Sequence, residues 1–294
     1  MTEAGPVGGA ALAEARKHCA ALARECVRDQ WLGALYAPSE ARDGLLALAG
    51  FDHEIRQARV RARDPTLAAL RLAWWRGVIK GEREGEAAGN PMALSLLSAI
   101  AAFGLPRAEL EAMLDGRLEE LVTPTRFDLA DFEVFAGESE GARLRLAARI
   151  CAGGADRDEA HVHAPAGLAL ALWRMLAALP AKAGSAPTLF PADLAERHGA
   201  AMRDFDARRP SKEVVAACSE ARALARGALD EAERRLMRSP RAILPAFIPL
   251  GTLRLDLVGL ERAAAAPFEP PAEASPLARQ WAIWRWARRA GRPR

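Results

Sequence analysis

Residues 42–79, RDGLLALAGFDHEIRQARVRARDPTLAALRLAWWRGVI, decide the fold of this chain because they predict two consecutive amphipathic helices. The start of the second helix is marked by Asp64 and Pro65, since aspartate is a favoured N-cap and proline suits the first helical position. One face of the first helix is formed by Leu45, Leu48, Asp52 and Ile55. The apolar residues of the second include Leu67, Leu70, Trp74 and Trp75.

Helix signals of the same kind continue along the rest of the chain. A helix is predicted over residues 10–30, and Asn90-Pro91 and Leu105-Pro106 each predict the start of another. Residues 166–179 are apolar nearly all round, which indicates a helix at the centre of a bundle. No alternating β-branched run and no Asn-Gly hairpin occurs in the sequence. The sequence therefore predicts an all-α protein.

Two interruptions of the helical pattern are expected in the remaining chain. Asp128 can cap a helix whose pattern is broken at Gly137 and Gly141 and resumes at residues 144–150. Residues 241–262 predict a helix kinked by its prolines. Trp74 and Trp75 point about 100° apart on a helix, so one should pack in the core and the other nearer an edge; the alternative is that both are core residues.

Length and composition favour one large globular unit. The chain has 294 residues, of which 51% are hydrophobic, and this is ample material for a core. The net charge of +3 does not by itself indicate a nucleic-acid partner, and none is expected. The four cysteines form no CxxC pair and fit buried apolar positions in a reducing compartment.

No targeting or membrane-spanning segment is evident in the sequence. The apolar start reaches Glu14 and Arg16 too early for a signal peptide. The apolar segments 164–180 and 242–260 are interrupted by charges, and the second also by prolines, before reaching the length of a membrane span. A cytoplasmic protein is expected.

Four strings resemble the squalene/phytoene synthase family and extend the resemblance from about Cys26 to the C-terminus. The first half carries GFDHEI at 50–55 and RLAWWR at 71–76, and the second carries GLALAL at 167–172 and LFPADL at 189–194. The resemblance implies an isoprenoid-synthase-type helical bundle around a central cavity. Three segments are predicted on this basis: a helical domain over 10–262, a Pro/Ala-rich linker over 263–276, and a Trp/Arg-rich C-terminal helix and tail over 277–294.

Catalytic members of that family join two prenyl diphosphates head to head, with magnesium held by two aspartate-rich helix motifs. In this chain the first-motif positions fall on Arg56, Gln57 and Val60, and the second on Ala178 and Lys182. None is a carboxylate, and cationic side chains cannot coordinate magnesium. We therefore predict no catalytic residues, no metal ligands and no cofactor, and interpret Asp52 and Arg56 as an i,i+4 pair of surface charges.

The resemblance also places a set of residues around a vestigial cavity. Two glycines in the middle of the chain would let helices approach closely or kink beside it, unless they are a simple helix break. The candidate positions are Phe51, Asp52, Glu54, Arg56, Arg71, Gly137, Gly141, Gly167, Ala171, Arg174 and Ala178.

Two functions follow from the resemblance. The first is a non-catalytic member like the branch that includes the mitochondrial assembly factor for respiratory complex I. Its cavity would hold a prenyl or lipid-like ligand or be vestigial, with function moved to a surface that meets a protein partner in membrane-complex assembly. The alternative is an active prenyltransferase of isoprenoid biosynthesis that condenses two prenyl diphosphates, with magnesium on atypical ligands such as Asp52, Glu54 and Glu138.

The C-terminal helix has two interpretations of its own. Leu277, Trp281 and Trp284 share one side. Positive charge comes from Arg279, Arg285, Arg288 and Arg289. An interfacial helix of this type sits at an anionic membrane surface, which would make the protein peripheral to the inner membrane. Alternatively, the helix docks on the bundle by its tryptophans.

Overall fold

Helices account for all the regular secondary structure that is described. The computed structural model describes residues 9–61, 64–121, 127–156, 160–180 and 189–291, with the side chains of residues 59–61, 160 and 289–291 left aside. Within those ranges no strand occurs, and the all-α prediction is confirmed. The first half of the bundle consists of α1 Gly9–Cys26, α2 Arg28–Ala34, α3 Ser39–Arg61, α4 Pro65–Lys80, α5 Glu84–Ala88, α6 Pro91–Phe103, α7 Arg107–Glu119 and α8 Leu129–Ala136.

A π-helical turn connects α8 to the second half of the chain, and a 3₁₀ segment precedes α14. The π-helix spans Gly137–Gly141 and the 3₁₀ segment spans Arg241–Phe247. The helices of this half are α9 Ala142–Cys151, α10 Ala160–Ala178, α11 Ala192–Arg197, α12 Met202–Asp206, α13 Lys212–Leu236, α14 Pro249–Arg262 and α15 Pro276–Gly291.

Capping signals in the sequence mark helix starts correctly. The Asp64 carboxylate accepts a hydrogen bond from the Thr66 amide at 2.8 Å, and Pro65 takes the first position of α4. Asn90 caps α6 in the same way, and Asp128 opens α8 with a capping box. Each cap satisfies amide groups that have no partner inside the helix.

Three details differ from the sequence prediction. The helix expected over 10–30 is divided at Val27, so that α1 and α2 are separate. The central helix begins at Ala160, earlier than the pattern indicated, and continues through Pro165. The pattern does not break at Gly137 and Gly141; these residues bound a π-helix that keeps α8 and α9 continuous.

The bundle is built around α10, which packs most extensively against α13 and also contacts α14, α9 and the π-helix. Its fully buried residues include Val162, Ala166, Ala169 and Leu172. Trp75 of α4 is buried and Trp74 only partly so, which confirms the division predicted for the pair. Leu67 and Leu70, in contrast, lie on the outer face of α4 and are 57% and 62% exposed.

The C-terminal part of the chain packs back on the bundle. Arg208 donates a 2.8 Å hydrogen bond to the Phe268 carbonyl, and the Phe268 ring meets Phe205 edge to face. The helix α15 then lies against α14 and α2. One stretch, Arg241–Arg262, has the length and apolar composition of a membrane span despite its prolines, and 61% of its most apolar window is buried inside the bundle.

Candidate functional site: a buried arginine–carboxylate cluster

Two glycines bring the π-helix and α10 into backbone contact. A Cβ atom on Gly167 would lie 2.8 Å from the Gly141 nitrogen and 3.0 Å from the Ala136 carbonyl oxygen, which is too close for any side chain. A π-turn adds one residue to the helix and changes the direction of the side chains in it. Within this turn Ser139 and Glu140 are buried in the bundle, while Glu138 is exposed.

Glu140 is the centre of a cluster of buried charges. Only 1% of its side chain is exposed, and Arg56 of α3 donates a hydrogen bond to it at 2.5 Å. Arg143, one turn further along the same helix, donates to the other oxygen at 3.3 Å. The Nε atom of Arg174 on α10 lies 3.2 Å from Glu140 without making a hydrogen bond, and Arg117 of α7 approaches to 3.8 Å.

Asp52 is the second carboxylate of this group, which we call the ionic cluster: Asp52, Arg56, Arg117, Glu140, Arg143 and Arg174. The carboxylate of Asp52 accepts a hydrogen bond from Arg56 at 2.9 Å and lies 3.9 Å from Arg143. Its side chain is 3% exposed, so the interpretation of Asp52 and Arg56 as surface charges is wrong. The physical reason is that Asp52 occupies the face of α3 that Leu48 and Ile55 bury in the core.

The arginines keep both carboxylates ionised. Burial by itself raises the pKa of Glu140, but attraction to Arg174, Arg56 and the other arginines outweighs it and holds the pKa well below its usual value. The pKa of Asp52 is lowered in the same way, against burial, by Arg56 and Arg174. Burial, followed by repulsion from Arg56, lowers the pKa of Arg174 to about 9, which still leaves it charged at neutral pH.

Positive charge exceeds negative charge in the cluster, since four guanidinium groups surround two carboxylates. Glu120 compensates in part by accepting a hydrogen bond from Arg117 at 2.5 Å. Such a group of side chains can stabilise the bundle or hold an anion, because guanidinium groups bind phosphate and carboxylate by paired hydrogen bonds.

The same group does not fit magnesium. Magnesium requires free carboxylate oxygens in near-octahedral geometry, and here the oxygens of Glu140 and one oxygen of Asp52 face arginines. Within the described ranges no three His, Cys, Asp or Glu side chains are placed to hold a metal ion. Of the atypical ligands considered from the sequence, Asp52 is buried, Glu138 is exposed, and Glu54 lies 3.5 Å from Arg71.

Comparison with known proteins gives the family of this chain. The sequence model of the squalene/phytoene synthase family matches residues 10–282. The chain belongs to this family. The predicted isoprenoid-synthase-type helical bundle is confirmed by solved structures of the same architecture.

Four mammalian relatives of this squalene/phytoene synthase family member carry the same name. It is similar to "NADH dehydrogenase (ubiquinone) complex I, assembly factor 6" of Rattus norvegicus, with 23% identity over 89% of this chain and 78% of the relative. The protein of that name from Homo sapiens is also 23% identical, over 86% of this chain and 76% of the relative.

Solved structures with this fold include synthases of the family. Squalene synthase HpnC from Alicyclobacillus acidocaldarius superposes with a TM-score of 0.74 at 18% identity, covering 89% of this chain and 98% of HpnC. A dehydrosqualene synthase in complex with a ligand gives a TM-score of 0.74 at 13% identity, over 94% of this chain and 96% of the other. YisP from Bacillus subtilis gives 0.72 at 15% identity, over 94% and 97%.

The remaining residues assigned to the cavity of this family member are distributed over three environments. Phe51 and Ala171 are buried, and the Phe51 ring packs edge to face on Trp75 at 5.1 Å. Glu54 and Arg71 pair at the edge of the bundle, whereas Ala178 is exposed at the end of α10. Two of the positions aligned with the magnesium motifs, the side chain of Val60 and residue Lys182, lie outside the part of the chain that is described.

Sequence reasoning missed three members of the ionic cluster: Arg117, Glu140 and Arg143. Their only local signal is the spacing of charge pairs, Glu140 with Arg143 and Arg117 with Glu120, each three residues apart on otherwise apolar faces. Such pairs are usually solvated, so the spacing alone does not indicate burial.

Two cavities among the described residues are small compared with ligand sites. One, of about 30 Å³, lies beside the ionic cluster between Arg143, Gln30 and Pro249, and the other, of about 10 Å³, lies beside Arg222. Pockets for drug-sized molecules occupy roughly 300–1,000 Å³. Neither cavity admits a prenyl chain in this conformation.

Proposed function

We propose that this squalene/phytoene synthase family member is not a prenyltransferase and acts instead as an assembly-factor-like protein for a membrane complex. The observation that carries the proposal is the ionic cluster at the first-motif helix. There Arg56 lies where the family would place a magnesium ligand, and it pairs with both Asp52 and Glu140.

The proposed loss of prenyltransferase activity follows from this arrangement of charges. Departure of a diphosphate requires its negative charge to be neutralised, which metal ions do in such reactions. Here Arg56 and Arg143 are already paired with carboxylates, and cations cannot hold magnesium. We propose that the chain works without magnesium or another cofactor.

A protein surface, rather than the interior, is the proposed place of function. The cavity that adjoins the ionic cluster, at about 30 Å³, is too small for a prenyl or lipid-like ligand. The relatives named complex I assembly factor support a partner that belongs to a membrane-bound NADH dehydrogenase under construction.

A condensation assay tests the loss of chemistry. Purified protein at high concentration is incubated for a long period with magnesium, NADPH and farnesyl or geranylgeranyl diphosphate, and the products are extracted. The expected result is no squalene, phytoene or cyclopropyl intermediate above a heat-killed control, while a catalytic squalene synthase run in parallel gives product. Product formed by the intact chain would restore the prenyltransferase alternative.

Diphosphate binding is measured with and without magnesium. The comparison shows whether the ionic cluster binds phosphate directly or only through the metal ion. Equal affinity in both conditions would support a phosphate-holding site that has lost its chemistry. Binding that requires magnesium would contradict our assignment, since it needs carboxylate ligands that the cluster does not offer.

Deletion of the gene in the source organism tests the assembly function. We expect a lower content of fully assembled NADH dehydrogenase on native gels, restored by the wild-type gene, while other respiratory complexes keep their levels. An unchanged content of the assembled enzyme would contradict the assembly function, whatever the condensation assay shows.

A further inference from the structure

The outer face of α15 carries aromatic and cationic side chains, and its inner face anchors the helix. Ile283 is 1% exposed, and the Trp286 side chain covers Gly251, where an added Cβ would lie 3.0 Å from the Trp286 Cβ and 3.1 Å from the ring. Arg279 forms salt bridges with Asp29 and Asp256. These three contacts fix the rotation of α15 about its own axis.

On the opposite side of the helix lie Leu277, Trp281, Trp284, Arg285 and Arg288, about half a turn from Ile283 and Trp286 at 100° per residue. Leu277 is 76% exposed and Trp281 is 56% exposed. We call these five residues the α15 outer face.

Aromatic rings and charge are organised together on the α15 outer face. The rings of Trp281 and Trp284 stack with centroids 4.6 Å apart, and the Arg288 guanidinium lies 4.8 Å from the Trp284 centroid. Neither Arg285 nor Arg288 makes a salt bridge to any residue within the described ranges. Trp281 is exposed and Trp284 half-buried, and tryptophans beside uncompensated arginines are typical of helices that lie in a membrane interface.

The distribution of charge along the chain indicates that the partner of this face is negatively charged. Residues 276–294 contain six arginines and no aspartate or glutamate. The whole chain has a net charge of only +3, so the rest of the protein is net acidic. Attraction to an anionic surface is therefore directed to this end of the molecule.

We propose that the α15 outer face binds the surface of a membrane that contains anionic lipids, with Trp281 and Leu277 inserted at the headgroup level and Arg285 and Arg288 on lipid phosphates. The helix lies parallel to the surface because its opposite face stays docked on α14 and α2. This interaction would hold the protein at the membrane surface, and it is independent of the proposed loss of prenyltransferase activity.

Co-sedimentation of the full chain with vesicles tests this proposal. One set of vesicles is phosphatidylcholine alone, and the other contains about a third phosphatidylglycerol. The expected result is binding to the anionic vesicles that weakens with added salt, and little binding to the neutral ones. Equal binding to both, or none to either, would overturn the proposal.

Two pairs of variants distinguish binding through the α15 outer face from non-specific binding by other parts of the surface. Arg285→Gln with Arg288→Gln should lower affinity roughly tenfold or more, while Arg107→Gln with Arg238→Gln, which removes two exposed arginines elsewhere, should change it little. Trp281→Ser should also weaken binding, whereas Met237→Ser, at the same 56% exposure, should not.

Each variant is first checked for an unchanged melting temperature, since all these side chains are exposed. Wild-type affinity in both α15 variants would contradict the assignment of the face. Retention on polyglutamate at physiological salt, without vesicle binding, would assign the face to an acidic protein and overturn the lipid proposal.

Discussion

At the scale of single residues, Glu140 determines the character of the site because it is the counter-ion shared by Arg56, Arg143 and Arg174. Buried ion pairs add little net stability compared with apolar packing, since desolvation offsets attraction. Removal of one partner is different, because the remaining charges stay buried without compensation. The cluster is thus more sensitive to loss of a carboxylate than a solvated salt bridge is.

Glu140→Gln should destabilise the protein by about 3–5 kcal/mol, because three arginines lose their common counter-ion while side-chain shape is kept. Asp230→Asn is the matched control: Asp230 pairs with Arg254 at 2.7 Å, but both side chains are 47% exposed. It should cost less than about 1 kcal/mol. Urea denaturation measures both values, and equal effects would contradict the burial of the cluster.

Acid should destabilise the wild-type protein through the same residues. The pKa values of Asp52 and Glu140 are lower in the folded chain than their ordinary values of 3.8 and 4.5. The unfolded chain therefore binds more protons as the pH falls, and the stabilisation present above about pH 5 declines below it. Urea midpoints measured from pH 3 to 7 should fall less in Glu140→Gln than in the wild type; parallel curves would show that Glu140 does not contribute.

The position of Asp52 could be predicted from sequence, but that of Glu140 could not. Asp52 lies in phase with Leu48 and Ile55, so the helical repeat already places it on the buried face of α3. In the segment GESEG only Glu138 was considered as a ligand, whereas the backbone there forms a π-turn and Glu140 is the buried carboxylate. The backbone change depends on contact with Gly167, which is distant in sequence.

At the scale of elements, the close approach of α10 to the π-helix gives a direct test. Gly167→Ala places a Cβ 2.8 Å from backbone nitrogen of Gly141 and should cost about 1–3 kcal/mol, because backbone cannot move aside as a side chain can. Gly227→Ala on α13 meets nothing within 4 Å and should stabilise by about 0.5–1 kcal/mol. Thermal unfolding compares the two; a neutral Gly167→Ala would mean that the two elements separate easily.

The two tryptophans of α4 test the packing of that helix. Trp75 is 2% exposed, and its truncation to alanine should cost about 3–5 kcal/mol. Trp74 is only partly buried, with its indole N–H donating to Glu86 at 2.7 Å, so Trp74→Ala should cost less. If neither variant loses more than about 1 kcal/mol in chemical denaturation, α4 does not pack in the core.

The starts of helices could be predicted from sequence because capping interactions are local. The points at which helices divide or continue could not be predicted. Asp64, Asn90 and Asp128 satisfy amides within three residues of themselves, so their effect is visible in a short stretch. The division at Val27 has no proline or glycine to mark it. The continuation of α10 through Pro165 likewise has no local signal, and tertiary packing overrides the local preference there.

At the scale of the whole molecule, one arginine joins the two ends of the chain. Arg279 of α15 forms salt bridges with Asp29 of α2, 250 residues earlier in sequence, and with Asp256 of α14. Its side chain is 25% exposed and that of Asp256 is 13% exposed. These charge-assisted hydrogen bonds are partly shielded from water, and each is worth about 1.5–3 kcal/mol.

Arg279→Gln should therefore loosen the two ends of the chain together. We expect faster amide hydrogen exchange in α2 and α15, because both lose the same anchor, and little change in the buried helices α10 and α13. Arg262→Gln, an exposed arginine at the end of α14, is the control and should leave exchange unchanged. Faster exchange in α15 alone would mean that α2 is held by its apolar contacts. The inference that Arg279 anchors both α2 and α15 would then be wrong.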